Sequence, residues 1–328
     1  MAYYHIFPKT DTTIYSHPDR LHLNTGRDEI LEVVKEKGTS DQKHYPSRVL
    51  IRFGNEDLTE VIQNIIGSED FNTKTTCSIE LTSTEPKNLT HILNLQAYAV
   101  SQSWQEGSGR YSNLPTGSDG ASWLQRNGST TYENRWFRPG AGVAYSSIYN
   151  GTNNNDGTVG GFEISNYTED PTGTPSYLTP GTTGSISSSA ITHGGGTWYT
   201  GSGFVANQQF LYGDSLDINI DVTNIITKHS ASLFSSQTYP DGIENYGFLI
   251  KQPDTVEANT TSSFGEMQYF SVETKTIFPP TLTFKWDDSV HKKQKKAKQS
   301  GPLNVHLYNN QPEYNQNDIT TFRVHVRD

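Results

Sequence analysis

The sequence predicts an all-β protein: a jelly-roll-like antiparallel β-sandwich with a long polar insertion and one short helix, followed by the start of a further β element. Two observations support this fold class. Only 32% of the 328 residues are hydrophobic, yet 11% are aromatic and 18 are tyrosines, a composition typical of loop-rich β proteins. Short apolar runs with two-residue alternation also recur between segments of Gly, Ser, Thr and Asn.

The first elements follow from the apolar pattern near the N-terminus. Strands are predicted for TTIYS (12–16), ILEVVKEK (30–37) and SRVLIRFG (47–54). The next segment, NEDLTEVIQNIIGS (55–68), has apolar residues at helical spacing, polar residues that can cap a helix at its start and a glycine near its end. It is predicted to form a short amphipathic helix that covers an open end of the sheet core.

Two-residue alternation resumes at 76–84 and 92–100, and the second of these strands leads into VSQSWQEGSGR, residues 100–110. From about 108 to 203 the chain consists mainly of Gly, Ser, Thr, Asn and Tyr. We interpret this part as a long insertion with a few short strands, because large aromatic residues are spaced through it: Trp123, Trp136, Phe137, Phe162 and Trp198.

Regular β-structure is predicted again at 215–229, 245–252, 267–274 and 280–286. The sandwich domain is therefore assigned to residues 1–290. Residues 291–302 are interpreted as a basic loop or linker, since HKKQKKAK (291–298) holds five lysines; a contact with an acidic partner is the alternative. Residues 303–328 are expected to begin a second β domain or to supply strands that pair with a partner chain.

Charge and hydropathy argue against two classes of partner. The formal net charge is −10, whereas nucleic-acid binding needs clustered Lys and Arg over a broad face. No window approaches the 18 or so apolar residues that a membrane helix needs. The single cysteine, Cys77, excludes an intramolecular disulfide and is expected to be a half-buried thiol.

The order of short motifs resembles the β-sandwich domains of the DNRLRE or disaggregatase-related family, similar to carbohydrate-binding module family 96. The resemblance covers roughly residues 11–286, apart from the insertion, which departs from the family pattern. The matching positions are Asp11, Arg48 to Phe53 (including Arg52), Trp104 with Glu106, Asp221 to Thr223, Gly247 with Phe248, and Ser271 with Glu273 before Pro280 and Leu282. The resemblance implies a β-sandwich in which these residues are structural.

A second, broader likeness is to virion structural proteins of tailed bacteriophages, in particular tail and baseplate proteins of myoviruses that infect marine bacteria. It rests on YFSVETKTIFPPTLTFKWDD (269–288), which is followed by LYNN and FRVHVRD. This likeness implies a structural role in a virus particle and no reaction.

Candidate catalytic and metal sites are weak. Glycoside hydrolysis needs two carboxylates about 5–10 Å apart, and the acids nearest to Glu106 in sequence, Asp119 and Glu133, lie in the irregular insertion. We therefore expect Trp104 to fill the end of the sandwich, and Glu106 to accept turn N–H groups or to pair with an arginine such as Arg110. The ten histidines show no metal-binding spacing, so no metal and no cofactor is predicted.

Aromatic residues of the insertion offer one further possibility, a flat platform for sugars. The candidates are Trp123, Tyr132, Trp136, Trp198 and Tyr199. The favoured alternative is that these rings form a small core for the insertion or a contact between subunits. Arg52, Trp104 and Trp286 are expected to hold the core of the sandwich and its ends.

The leading functional prediction is a non-enzymatic virion structural protein of a tailed phage, located in the tail or baseplate. It would assemble with copies of itself and with other virion proteins through aromatic patches and unpaired strand edges. The alternative is a carbohydrate-binding or receptor-binding module that recognises a surface polysaccharide. A polysaccharide lyase or hydrolase is the third and weakest possibility, because Glu106 lacks an evident second acid.

Overall fold

The protein is described from a computed structural model. The described residues are 1–38, 43–84, 92–113, 119–128, 134, 136, 148–149, 195–199, 203–211, 213–234, 243–257, 265–288, 304–308, 313–316 and 321–327. The basic loop predicted at 291–302 and most of the insertion, including Tyr132, Glu133, Phe137 and Phe162, lie outside them. The chain divides into two compact units, residues 1–287 and 288–328.

Strands dominate the described part of the chain. They are β1 (Ala2–Ile6), β2 (Pro8–Tyr15), β3 (Ile30–Val33), β4 (Lys35–Lys37), β5 (His44–Phe53), β6 (Thr75–Leu81), β7 (Ile92–Ala99), β8 (Ile148–Tyr149), β9 (Trp198–Tyr199), β10 (Val205–Leu211), β11 (Ile218–Asp221), β12 (Phe248–Lys251), β13 (Met267–Phe270), β14 (Thr281–Trp286), β15 (Asn304–Tyr308) and β16 (Arg323–Arg327). The α-helices are α1 (Asn55–Thr59), α2 (Ser68–Lys74), α3 (Thr223–Phe234) and α4 (Asp254–Glu257). A π-helical segment spans Glu60–Ile66, and 3-10 turns span Pro18–Arg20 and Tyr111–Asn113.

The first unit is a sandwich of two antiparallel sheets. A four-stranded sheet has the order β1-β14-β6-β11, and a six-stranded sheet has the order β10-β7-β12-β5-β2 with β4 beside β5. Apolar side chains from both sheets form one core, which includes Val49, Ile51, Ile79, Phe248 and Phe284. The predicted all-β sandwich is confirmed.

Alternation along the strands decides which side chains enter this core. In β6, Cys77, Ile79 and Leu81 are buried, whereas the residues between them are partly or fully exposed. In β5, Val49 and Ile51 also point into the core. Their neighbour Leu50 belongs instead to a second apolar cluster, on the opposite face of the six-stranded sheet.

The second cluster shows that the insertion covers the outer face of the six-stranded sheet. Its buried members are Ile14, Leu50, Tyr98, Val100, Trp104, Ala121, Trp123, Trp136, Trp198 and Leu249. This set contains side chains from strands of the six-stranded sheet as well as side chains from the insertion. The six-stranded sheet is therefore buried on both faces. Polar residues on that outer face are therefore also buried, Arg48 among them.

The helices differ from the prediction in two places. The predicted helix at 55–68 is present, but helical structure continues through α1, the π-helical segment and α2 to Lys74. The strand predicted over 215–229 is wrong beyond Asp221, because α3 begins at Thr223. Asp221 Oδ1 accepts hydrogen bonds from the N–H of Thr223 (2.9 Å) and its hydroxyl (2.6 Å), and this favours a helix start over continued strand. The prediction of one short helix is therefore wrong, because the described residues contain four α-helices and a π-helical segment.

The second unit contains a two-stranded hairpin, β15–β16. Val305 pairs with Val326 and Leu307 pairs with Val324, so these four aliphatic side chains share one face. All four are between 49% and 60% exposed. The described part of the second unit therefore presents an apolar sheet face without a cover.

No helix in the described part of the chain is both long and apolar enough to cross a membrane.

Candidate functional site

The turn that follows β7 is anchored by Trp104 and Glu106. The buried Trp104 indole donates a hydrogen bond from Nε1 to the carbonyl of Tyr246 (2.8 Å), and the Arg52 guanidinium lies over its ring at 5.7 Å. Glu106 Oε1 accepts the backbone N–H of Asp11 in β2 (3.0 Å). Trp104 and Glu106 thus fasten this turn to two other segments of the sandwich.

Asn24, which the sequence analysis did not single out, organises the backbone of the same turn. Its Nδ2 donates to the carbonyls of Glu106 (2.6 Å) and Ala121 (2.8 Å), and its Oδ1 accepts the N–H of Gly109 (2.8 Å). Asparagine is common in turns, and Asn24 in LNTG lies in such a segment, so the sequence carried no specific signal for this role.

Three carboxylates meet beside this turn, namely Asp11, Glu106 and Glu273. Asp11 Oδ2 accepts the N–H of Val272 (2.7 Å), and Glu273 is paired with Arg27. Arg27 and Arg52 are the cations that lower the pKa of Glu106, although burial raises it overall. The expected partner Arg110 instead acts on Asp28.

Asp11 supplies the second acid that sequence spacing could not provide, but its position does not suit catalysis. The side chain is only 1% exposed and its carboxylate is engaged with Val272. Burial raises the pKa of Asp11 from 3.8 to about 8, against the lowering effect of the Val272 hydrogen bond, and Glu106 and Glu273 raise it further. A substrate cannot reach this carboxyl, which instead joins β2 to the segment after β13.

Stability should depend on pH through Asp11. Because its pKa is higher in the folded chain than in the unfolded one, its favourable contribution is complete below about pH 4 and is lost as the pH rises towards 8. We expect Asp11→Asn to be more stable than the native protein by roughly 2 kcal/mol or more at about pH 9, with little difference near pH 4. Urea unfolding of both proteins across this range measures the difference.

Asp70→Asn is the matched control, since Asp70 forms an exposed pair with Lys74 and such pairs contribute little. An Asp11→Asn variant whose stability followed the native curve at every pH would contradict the assignment.

A second polar group lies inside the outer cluster of the six-stranded sheet. Arg48 binds Glu257 through Nη2 (2.7 Å) and Nε (3.2 Å), and its Nη1 donates to the carbonyl of Gly195 (2.5 Å). Lys251 Nζ lies 3.1 Å from Glu257 Oε2 and also pairs with Asp254. Arg48, Lys251 and Glu257 are fully buried, so α4 is held to β5 and β12 by buried charges.

Tryptophans of the insertion cover these charges. The Trp123 and Trp198 rings lie 4.7 Å and 5.3 Å from the Arg48 guanidinium, within the range of cation–π attraction. Trp136 Nε1 donates to the carbonyl of Ser122 (2.7 Å). All three indoles are fully buried, so none presents a ring face to a sugar, and they form a small core instead. Tyr199 is partly buried against Phe204, at 5.4 Å between ring centroids.

The remaining motif residues hold the scaffold. Thr223 Oγ1 accepts the N–H of Cys77 (2.8 Å), which ties α3 to β6. Phe53 meets Phe248 edge-to-face at 6.2 Å in the core, and Ser271 Oγ donates to the carbonyl of Asp28. Trp286 ends β14 opposite Ala2. Gly247 precedes Phe248 and lies against β5, and Asp221 caps α3.

Two open cavities lie among the described residues. The larger, of about 440 Å³, is lined by Glu32, Val34, Lys35, Glu36, Lys37, His44, Tyr111, Glu266 and Gln268. The other, of about 330 Å³, is lined by Lys9, Arg52, Phe53, Gly54, Asn55, Glu56 and Asn245. Within the described ranges, no three His, Cys, Asp or Glu residues are grouped so that they could hold a metal ion.

Of the four terminal strands of the sandwich, β2 and β11 have side chains bonded to backbone groups along their outer edges. In β2, the N–H and carbonyl of Thr13 both bond to Thr25 Oγ1 (3.1 and 2.7 Å). Gln208 of β10 reaches β11, where it accepts the N–H of Asn219 (2.7 Å) and donates to the carbonyl of Asp217 (3.1 Å).

The terminal strand β1 differs from β2 and β11. Its pairing partner is β14 on one side, and the described residues place nothing along the other side. Tyr3, Tyr4 and His5 are exposed, Tyr3 by 68%. This strand is thus an uncovered sheet edge that carries aromatic side chains.

The sequence matches no protein-family model and no curated protein. The two resemblances given above therefore stay predictions, and the contacts, burial and charges of this chain carry the functional argument.

Proposed function

We propose that this protein is a non-enzymatic structural component of a virus particle, in the tail or baseplate of a tailed phage, and that it works by assembly with copies of itself and with other virion proteins. The observation that carries the proposal is the apolar face of the β15–β16 hairpin. An isolated two-stranded hairpin is at best marginally stable in water. Four neighbouring aliphatic side chains, each about half exposed or more, favour burial against a partner.

The positions of the charged groups also favour assembly over catalysis. Asp11, Arg48, Lys251 and Glu257 are all at most 1% exposed, and each contacts another segment of its own chain. A catalytic acid or base must instead come within hydrogen-bonding distance of a substrate. These groups therefore support a scaffold, whereas exposed apolar surface is what the molecule offers to others.

The location in a tail or baseplate comes from the likeness of the C-terminal sequence to such proteins. Gold-labelled antibody against this protein, applied to purified particles and to cells from the source, tests it. We expect label fixed to the tail or baseplate. Antibody pre-incubated with the purified protein is the control for non-specific label. Label on cells or in the medium, with none on particles, would overturn the proposal.

Polysaccharide binding is the second candidate, and one feature supports it. The larger cavity combines the Tyr111 ring with carboxylate, amide and imidazole groups of Glu32, Gln268 and His44, and sugar sites use such combinations. Titration with host surface polysaccharide tests this candidate directly. Binding that Tyr111→Ala removes, and that the exposed-site control Tyr314→Ala retains, would make this candidate the leading one.

A further inference from the structure

We propose that β1 is a self-association edge: it pairs antiparallel with β1 of a second copy, so that the two four-stranded sheets form one continuous sheet of eight strands. This inference rests on the proposed function, because it names one partner in the assembly. It concerns the first unit alone and does not involve the β15–β16 hairpin.

β1 lacks the features that normally prevent edge-to-edge pairing. Proteins protect free edges with charged side chains, prolines, bulges or covering segments. The five residues of β1, AYYHI, contain no Asp, Glu, Lys or Arg and no proline. Its register with β14 runs unbroken from Ala2 opposite Trp286 to Ile6 opposite Leu282. By contrast, β2 starts with a proline and has an irregularity between Pro8 and Thr10.

The outer edge of β1 also has free backbone groups. In an antiparallel pair, every second residue directs its N–H and carbonyl away from the neighbouring strand. On β2 and β11, the side chains of Thr25 and Gln208 bond to such groups. Among the described residues, β1 has no equivalent, and its exposed side chains leave the outer edge open to another strand.

A second copy of this chain is the partner that β1 fits. Identical strands that pair antiparallel are related by a two-fold axis, so one strand meets the requirement for both partners. Two copies of a chain with a formal net charge of −10 repel each other, and a contact strand without Asp or Glu keeps carboxylates out of the ladder.

The geometry of β1 also gives the register of this pair. If Tyr4 lies on the two-fold axis, Tyr3 of each copy stands opposite His5 of the other. Tyr3 and His5 already meet edge-to-face within one chain, at 5.3 Å between ring centroids. Pairing would join two such pairs into a cluster of four rings, and cross-strand aromatic pairs stabilise sheets.

Charge substitutions at the two facing positions provide the test. Tyr3→Lys/His5→Lys places like charges opposite each other, whereas Tyr3→Lys/His5→Glu places opposite charges there. The matched control is Ile92→Lys/Leu211→Lys, a facing pair on β7 and β10 whose residues are 55% and 54% exposed. Sedimentation equilibrium of the full chain, up to about 100 µM because a short strand buries little area, measures the dimer dissociation constant.

We expect the native chain and the control to dimerise alike. The Lys/Lys variant should dimerise at least about tenfold more weakly, and the Lys/Glu variant should return close to the native value. Circular dichroism checks that each variant is folded. A native chain that stays monomeric, or a dimer that the Lys/Lys variant leaves unchanged, would overturn β1 pairing.

These outcomes are distinct from those of the particle labelling. If the chain is monomeric in sedimentation equilibrium and the antibody labels particles, β1 pairing is refuted and the proposed function stands. A dimer that responds to the β1 substitutions, together with particles that carry no label, would refute the proposed function and leave β1 pairing standing.

Discussion

Replacement of Glu257 by glutamine is expected to lower the free energy of unfolding by about 3–5 kcal/mol. The carboxylate of Glu257 contacts both Arg48 and Lys251, and all three side chains are fully buried. Glutamine keeps the size of the side chain but removes the charge, so two buried cations lose their shared counter-ion. Urea or guanidinium unfolding, monitored by tryptophan fluorescence, measures the loss.

Two further variants separate this effect from a general loss of packing. Glu80→Gln breaks a partly exposed pair with Lys285 and should change the unfolding free energy by less than about 1 kcal/mol. Arg48→Met/Glu257→Gln should recover part of the loss, since each single change leaves a buried charge behind. Equal effects of Glu257→Gln and Glu80→Gln would show that the buried pairing contributes little.

Gly247→Ala should destabilise the fold by about 3–5 kcal/mol, from backbone strain and steric overlap together. Gly247 has φ of +87°, a conformation that is costly for residues with a Cβ. A Cβ built there would lie 2.2 Å from the carbonyl oxygen of Ile51 and 2.8 Å from Arg52 Cα. Neither backbone atom can move without disturbing the β12–β5 ladder.

Gly67→Ala is the matched control, because Gly67 also has a positive φ, +91°, but no atom lies within 4 Å of its built Cβ. Gly67 combines its positive φ with ψ of +137°, so this change should cost the backbone strain alone, roughly 1–3 kcal/mol. The difference between the two denaturation midpoints isolates the steric contact. Similar losses for both variants would contradict the close approach of β12 to β5 at this glycine.

The sequence predicts most strands of this fold because apolar and polar residues alternate along them. The burial of Cys77, Ile79 and Leu81 in β6 follows directly from two-residue spacing. The start of α3 was missed because INIDVTNII alternates well through Val222, and the only contrary signal is the ability of Asp221 to cap Thr223. This cap favours a helix over a strand only where the core can bury Ile225 and Ile226 of that helix.

Most of the polar contacts could not be predicted, since they join distant parts of the chain. Arg48 and Glu257 are 209 residues apart in sequence, and Asp11 and Glu106 are 95 apart. Neither local propensity nor spacing records such a pairing. A charged residue within an apolar strand, such as Lys251 in FLIK, is the one local sign that a buried counter-ion must exist.

The aromatic residues of the insertion illustrate a different limit. Composition shows that Trp123, Trp136 and Trp198 either fill a core or face a ligand. Composition alone does not distinguish these two arrangements. Which arrangement occurs depends on whether another part of the fold has an apolar surface against which the indoles can pack. Here the outer face of the six-stranded sheet carries Arg48 and Leu50, so the indoles are buried against that face.

β1 can pair with β14 only after most of the chain has been translated. The contact between His5 and Thr283 spans 278 residues, which a ribosome takes roughly 15–55 s to synthesise at about 5–20 residues per second. Throughout that interval β1 (Ala2–Ile6) has been synthesised, whereas β14 (Thr281–Trp286) has not. Any strand that pairs with β1 during this time must be one other than β14, so the four-stranded sheet of the sandwich is completed only late in synthesis.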